Sequence, residues 1–455
     1  VSIPDKTLIF TDKEEMLPGE SKDAFLPDRK EFNFDGCSPT QLLKATVTNG
    51  KIIFPSGATY SVLVLPKTET MTPTLLNKIE LLVKAGAIVI GNPPLKSPSL
   101  TNYPECDLQV AEKSKLIWGG INAPDDISYR KLGKGKVYWG GAFSQMKQSE
   151  LYPDYYSTAS LLRKMRVKED FMSTGSVRYT HKIIETGDVY FVSNKTDHSI
   201  NSTCLFRVKK GTPQLWNPMT GDIRPLTDYI ILNGQIQIQL QFEPYESYFI
   251  VFDKNEKSKV DKNHIFTNFS DPFILSELSM PWKLSFDTKW GGHETITFDK
   301  LVDWTLRPED DIKYYSGTAN YQNTFNITKE IIDNKKSDIY IDLGEVNNMA
   351  RVRINGKDMG VVWASPFRLK ISDAVYAGEN KIDIEVANLW PNRLIGDEQK
   401  PDDGIVNGQW PEWLQKGTAR TSGRFTFTTF KHYNKDSKLL KSGLIGPVRV
   451  LIVKK

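Results

Sequence analysis

Four tryptophans, Trp363, Trp390, Trp410 and Trp413, crowd into a short stretch of the chain together with Asn388, Asn392 and Arg393. This is the residue mix that sugar sites use. An aromatic face packs on the C–H face of a pyranose, while amide and guanidinium groups meet hydroxyls in fixed geometry. The opposing reading is structural, with the tryptophans filling a sandwich core or packing domains together. Trp390 follows the apolar run Ile382 to Val386 and precedes Pro391, which predicts a loop position rather than a core one. Tyr315, in Tyr314-Tyr315, and His432, in His432-Tyr433, join the candidate set, each with a hydrogen-bonded structural pair as its alternative. Trp290-Gly291-Gly292-His293 reads as a sugar-facing loop, because paired glycines let backbone approach a ligand closely, or simply as a turn.

Breaking a glycosidic bond usually takes two carboxyl groups about 5 to 9.5 Å apart. Glu294, Asp303, Asp342, Glu345, Asp397 and Glu398 are the available acids in or near the last third of the chain, and acids on β-loops are usually just solvated. No catalytic pair is assigned, and Asp397 is kept as a rim or sugar-binding candidate. Thiol chemistry fails on arithmetic. Cys37 and Cys106 could serve as nucleophiles only with a base, yet neither sits in a Gly-x-Cys-x-Gly elbow and residues 1 to 166 contain no histidine. Asn92-Pro93-Pro94 and Gly119-Gly120 lack the Gly-rich run and Lys-Ser/Thr of a phosphate cradle.

Three cysteines, far apart and odd in number, indicate neither a disulfide framework nor a zinc site. The 59 Lys and Arg nearly balance 55 Asp and Glu with no long basic run, which excludes the electrostatic footprint of a nucleic-acid binder. No apolar stretch approaches the roughly 20 residues needed to span a bilayer. At 455 residues the chain is too long for one core, so about three domains are expected. The start, Val1-Ser2-Ile3-Pro4, lacks an initiator Met and a signal peptide, which reads as a truncated or processed start and says nothing against export.

The elements that must position these residues are of two kinds. Tyr60 to Pro66 and Ala87 to Gly91 read as buried strands flanking an amphipathic helix that starts at Thr72-Pro73 and ends at Gly86, giving one βαβ unit of a parallel sheet. A last strand over Gly135 to Gly140 and a closing helix over 153 to 165 complete an α/β domain, residues 1–166. Short alternating runs then follow: Val177 to Ile183, Val189 to Ser193, Ser202 to Val208, Ile236 to Leu240 and Ser247 to Phe252. They predict a small β-sandwich domain, residues 167–257, ended by the polar linker Lys254 to Lys259. Residues 258–455 again read as β, with strands at Trp282 to Asp287, Gly317 to Ile327, Asp338 to Leu343, Met349 to Ile354, Lys381 to Val386, Phe425 to Thr429 and Val448 to Val453. Two packed antiparallel sheets are expected there, with a hairpin turn at Asn355-Gly356.

The order Tyr314 to Ala319, Asp342 to Val346, Val352 to Lys357, Gly360, Pro366-Phe367-Arg368, Ile371-Ser372-Asp373 and Gly378 to Lys381 resembles the galactose-binding-like jelly roll, the sugar-binding domain of glycoside hydrolase family 2 and its relatives, over roughly residues 280 to 455. The continuation Ala387 to Asp397, with Ser422 to Thr426 and Ser442 to Val448, is similar to the carboxy-terminal region of glycoside hydrolase family 106, the α-L-rhamnosidases. The first domain likewise resembles the non-catalytic glutamine-amidotransferase-like (flavodoxin-like) α/β domain of several large glycosidases.

The resemblance implies a catalytic barrel upstream of Val1, carrying the carboxylate pair and a calcium ion. It implies that this chain is an accessory, sugar-binding region of an enzyme acting on rhamnose-containing plant polysaccharides, located in the periplasm or secreted. No cofactor is required in the chain itself, and a structural calcium on jelly-roll loops is a further expectation with unknown ligands. The alternative is a stand-alone carbohydrate-binding or homo-oligomerising module without catalysis.

Overall fold

The computed structural model describes residues 31–145, 151–255, 268–279 and 281–454. The chain start and most of the Lys254 to Lys259 linker lie outside the described residues. Among the described residues two compact units emerge: those up to 193, from 202 to 239 and from 248 to 255 form the first, and 194–201, 240–247 and those beyond 262 form the second.

In the first unit, Thr72 accepts a hydrogen bond from the Leu75 amide, Pro73 begins the helix Pro73–Ala85, and Gly86 ends it with a positive φ of 125°. Leu76, Ile79, Leu82 and Val83 form its buried face, the 3.6-residue periodicity read from the sequence. The helix connects two parallel strands, Leu63–Val64 and Ile88–Ile90, and the sheet continues through parallel Gly135–Trp139 to an antiparallel edge strand, Ser128–Leu132. Gly135 is required where strand meets helix: a Cβ there would lie 2.2 Å from the Val83 carbonyl oxygen.

The expected strand Tyr60 to Pro66 is divided. Tyr60 pairs instead in a small antiparallel sheet of Thr46–Thr48, Lys51–Ile53 and Thr59–Tyr60. The closing helix is present as Tyr155–Lys164, with Asp154 capping the Ser157 amide at 2.8 Å. Cys37, Cys106 and Cys204 are all buried and unbridged.

The short alternating runs beyond residue 167 form two antiparallel sheets. One has the order Ile223–Pro225, Thr212–Trp216, Ser247–Asp253, Gly187–Asn194, Val177–Ile184. The other runs Tyr229–Leu232, Gln235–Phe242, Ile200–Phe206, Phe171–Ser173. Alternation in Gly187–Asn194 and Gln235–Phe242 follows period two, as a half-buried strand demands.

In the second unit, six strands form one antiparallel sheet and four form another. The longest pairing joins Thr318–Ile327 to Gly378–Ala387 in unbroken register, from Thr318 opposite Ala387 to Ile327 opposite Gly378. Apolar side chains on alternate positions, among them Tyr321, Phe325, Ile382, Ile384 and Val386, close on a core around Trp282 and Trp304. Asn355 and Gly356 both take positive φ, 52° and 82°, so the expected hairpin turn is present.

One expected strand is not. Phe425 to Thr429 is irregular, because it belongs to a long excursion from Glu398 to Lys441 whose sole regular element is the short helix Glu412–Lys416.

Candidate functional site

Irregular loops longer than about 12–15 residues are usually functional, and this excursion is held by charge rather than by a sheet. Arg420 donates through Nε and Nη2 to Asp403, both at 2.6 Å, and through Nη1 to the Thr426 carbonyl. The Arg420 guanidinium also lies 4.9 Å from the Trp413 ring centre. Arg424 donates to Glu398 at 2.8 Å and to the carbonyls of Pro401 and Lys400. Asp397 Oδ2 accepts from the Phe425 amide at 3.0 Å, the Thr426 amide at 2.6 Å and the Thr426 hydroxyl at 2.6 Å.

Between these anchors opens a cleft of about 250 Å³, lined by Asp402, Asp403, Phe427, Phe430, His432 and Tyr433 among others. That is just under the range of about 300–1,000 Å³ usual for small-molecule sites, room for one sugar unit. Behind Phe427 stand Trp410 and Trp413, with ring centres 6.0 and 5.6 Å away.

Two carboxylates of the cleft, Asp402 and Asp403, are ill suited to act as a general acid. Arg420 hydrogen bonds pull Asp403 down to about 2, and Lys431 holds Asp402 below the usual carboxylate range. A glycosidase acid needs the opposite shift. Elsewhere Asp342 is paired with Arg368 at 2.8 Å. Glu345 is paired with Lys441 at 2.7 Å, and this pairing outweighs burial to lower its pKa. Asp303 caps the Thr305 amide and accepts from the Ser442 amide. Glu294 is exposed.

Several residues nominated from sequence are scaffold. Asn392 is buried, donating to the Leu440 carbonyl at 2.6 Å and accepting from the Leu440 amide at 2.7 Å. Asn388 ties the Tyr315 carbonyl to the Gly317 amide. Tyr315 is fully buried, donating to the Thr318 carbonyl and accepting from the Asp287 amide. Their amides and hydroxyl therefore close loops and are not free for a sugar. Asp397, just described, is likewise an anchor. Trp363 is 62% exposed and lies beyond the strand Lys357–Val362, and no ring contact joins it to the others.

Trp390 does stand free, half exposed and edge-to-face with Trp290 at 5.6 Å between ring centres. It heads the short helix Pro391–Asp397, which carries Arg393. Gly396 lets this helix lie against Tyr314, where a Cβ would come within 2.5 Å. Arg393 is 6% exposed, and its Nε and Nη2 have no hydrogen-bond partner among the described residues. Burial lowers its pKa, and the ring of Phe425 covers the guanidinium at 4.7 Å. Phe425, Phe427, Phe430 and the arginine anchors were missed as site residues, although Ser422 to Thr426 had stood out as a motif.

The larger cavity lies in the first unit, about 690 Å³, lined by Phe32, Tyr60, Val62 and Tyr155 with His181 and Arg207 along it. His181 is sandwiched by carboxylates, Nδ1 at 2.9 Å from Asp170 and Nε2 at 3.0 Å from Asp188, and stacks on Tyr190 at 4.0 Å. Carboxylates only accept, so both ring nitrogens carry protons. Burial opposes the charge, but the two acids win and the imidazole pKa is raised. This is a closed ion cluster, completed by Arg207 on Asp170 at 2.8 Å.

Among the described residues no three His, Cys, Asp or Glu side chains converge to hold a metal ion, so no calcium ligand set is assigned. No helix there is long and apolar enough to cross a membrane.

Comparison with known proteins finds similarity to glycoside hydrolases. Residues 11–231 match the glycoside hydrolase family 106 profile, described as alpha-L-rhamnosidase. The rhamnosidase structure from Novosphingobium sp. PP1Y is 28% identical over 93% of this chain and 36% of its own, with a TM-score of 0.66. A curated protein of Formosa agariphila bearing the provisional name beta-glucuronidase is 24% identical over 94% of this chain and 54% of its own length. The chain thus spans about half of that curated relative and about a third of that solved structure. It is similar to the α-L-rhamnosidases of glycoside hydrolase family 106, with the profile match on residues 11–231 and the sequence motifs of residues 387–448 lying outside that match.

Proposed function

We propose that this chain is the accessory, sugar-binding region of a rhamnosidase-like glycoside hydrolase, and that bond cleavage is performed by a barrel encoded upstream of Val1. The observation that carries the reading is the neutralisation of the cleft: Asp403, Asp402 and Glu398 each face an Arg or Lys, while Phe427, Phe430, His432 and Tyr433 remain to pack on a sugar. A (β/α)-barrel needs eight βα units and about 250 residues, whereas among the described residues the sheet of the first unit has three parallel strands.

The jelly-roll and family 2-type identity of the two-sheet region, rhamnose-containing plant polysaccharide as the glycan, and export to the periplasm or medium all belong to this proposal. The resemblance in sequence supports them. Purified chain should bind rhamnose-containing pectic oligosaccharides by calorimetry and should not hydrolyse aryl α-L-rhamnosides. Turnover abolished by substituting a cleft carboxylate would sink the reading.

A further inference from the structure

Arg420 and Arg424 share the second unit with Arg393 and differ from it in one respect. Every donor nitrogen of Arg420 and Arg424 has an acceptor, whereas Nε and Nη2 of Arg393 have none among the described residues. The acids whose charge Arg393 feels are Asp397, Tyr315 and Asp311. None of them accepts a hydrogen bond from Nε or Nη2 of the guanidinium. Asp397 Oδ2 caps Phe425 and Thr426, Tyr315 bridges Thr318 and Asp287, and Asp311 Oδ2 is 2.9 Å from His293 Nδ1. The acids nearby offset its charge, but Nε and Nη2 still need acceptors, and a ligand can supply them.

What surrounds it defines the ligand's other half. Trp290 and Trp390 stand perpendicular, 45% and 50% exposed, and the Arg393 amide donates to the Trp390 carbonyl at 3.0 Å, in the same helical turn. Phe425 bridges the two features. Its backbone is pinned by Asp397, but its ring is 41% exposed, lying over the guanidinium on one face and so close to Gly291 that a Cβ there would come within 2.3 Å. Removing that ring would uncover the guanidinium face it covers.

We propose that Arg393, Trp290 and Trp390 form a second carbohydrate subsite, selective for an acidic sugar whose carboxylate pairs with the guanidinium while its ring packs on tryptophan. A guanidinium fork matches a carboxylate bidentately, and those charge-assisted bonds are about twice as strong as the bonds a neutral sugar hydroxyl accepts. This subsite is separate from the cleft, and it shares with the proposed function the premise that the chain meets carbohydrate.

The test is a tryptophan-fluorescence titration of the whole chain with methyl β-D-glucuronide, methyl β-D-glucoside and acetate. The glucuronide should bind at least tenfold more tightly than the glucoside, and acetate alone should not match it. Arg393→Met should reduce the preference to under twofold, with circular dichroism unchanged. Phe425→Ala should tighten glucuronide binding severalfold, which keeps the test decisive if the Arg393 variant fails to fold. Equal affinity for the two sugars, acetate as effective as the glucuronide, or a preference that survives Arg393→Met would each overturn the subsite. Phe427→Ala separates the two readings: it should abolish binding of neutral rhamnose oligosaccharide at the cleft and leave the glucuronide preference intact. Rhamnose binding without glucuronide binding would leave the proposed function standing and remove this inference.

Discussion

The two units of this molecule treat a buried cation in opposite ways. In the first, His181, with a side chain 6% exposed, is held between Asp170 and Asp188, with Arg207 and Lys254 completing the cluster. In the second, Arg393 is buried to the same degree and no ion-pair partner meets it among the described residues. A satisfied cluster fixes one arrangement of the strands that carry it, and breaking it leaves uncompensated charge. An unsatisfied donor set gives its own unit nothing, which is why it reads as a ligand position. Similar burial, with partners in one case and without in the other, separates architecture from recognition.

Removing one partner of the first cluster should have the largest effect. Asp170→Asn is expected to destabilise the chain by about 3–5 kcal/mol, as for breaking a buried ion pair, checked by chemical denaturation. Arg393→Met removes buried donors that meet no acceptor and should cost far less than that, by the same denaturation. If both variants destabilise alike, the contrast between the units fails.

A pH series sharpens the comparison further. His181 has a folded pKa raised above 6.5, so its stabilisation is fully present below that value and is lost as pH rises through the folded pKa. Asp188 is lowered from 3.8, by His181 against its own burial, so its contribution is present above 3.8 and lost as pH falls through the lower folded value. Thermal unfolding of the first unit should therefore be most stable between these edges. In the second unit Asp403, drawn down to about 2, predicts loss only on the acid side. An alkaline edge that survives His181→Gln would refute the assignment. The smallest effect belongs to the cleft rim. Lys431→Met removes an exposed ion pair and should change stability by less than about 1 kcal/mol, measured by the same denaturation.

Much of the frame was legible in the residues. Thr72-Pro73 and Gly86 mark the helix ends because capping and positive φ are local demands, and Asn355-Gly356 marks its hairpin for the same reason. Alternation between Thr318 and Ile327 shows a half-buried strand because the side-chain period is local too. Phe425 to Thr429 has the composition of a strand yet is not one. Its amides at 425 and 426 are satisfied by the Asp397 carboxylate, an alternative to a sheet partner that composition does not reveal.

The site was read less well. Asn388, Asn392 and Tyr315 have the chemistry of sugar ligands, but their partners are backbone groups and the Ser442 hydroxyl, several of them some 50 to 70 residues away. Residue type states what a side chain can bond to, and long-range closure selects among the options.

What the chain determined by itself is therefore the inventory: the strand and helix periods, the turns, the aromatic and guanidinium groups, and the lack of a histidine in the first 166 residues. The tertiary structure decided which of three arginines within some thirty residues keeps unpaired donors. Partner choice depends on loops that meet only after both sheets have closed.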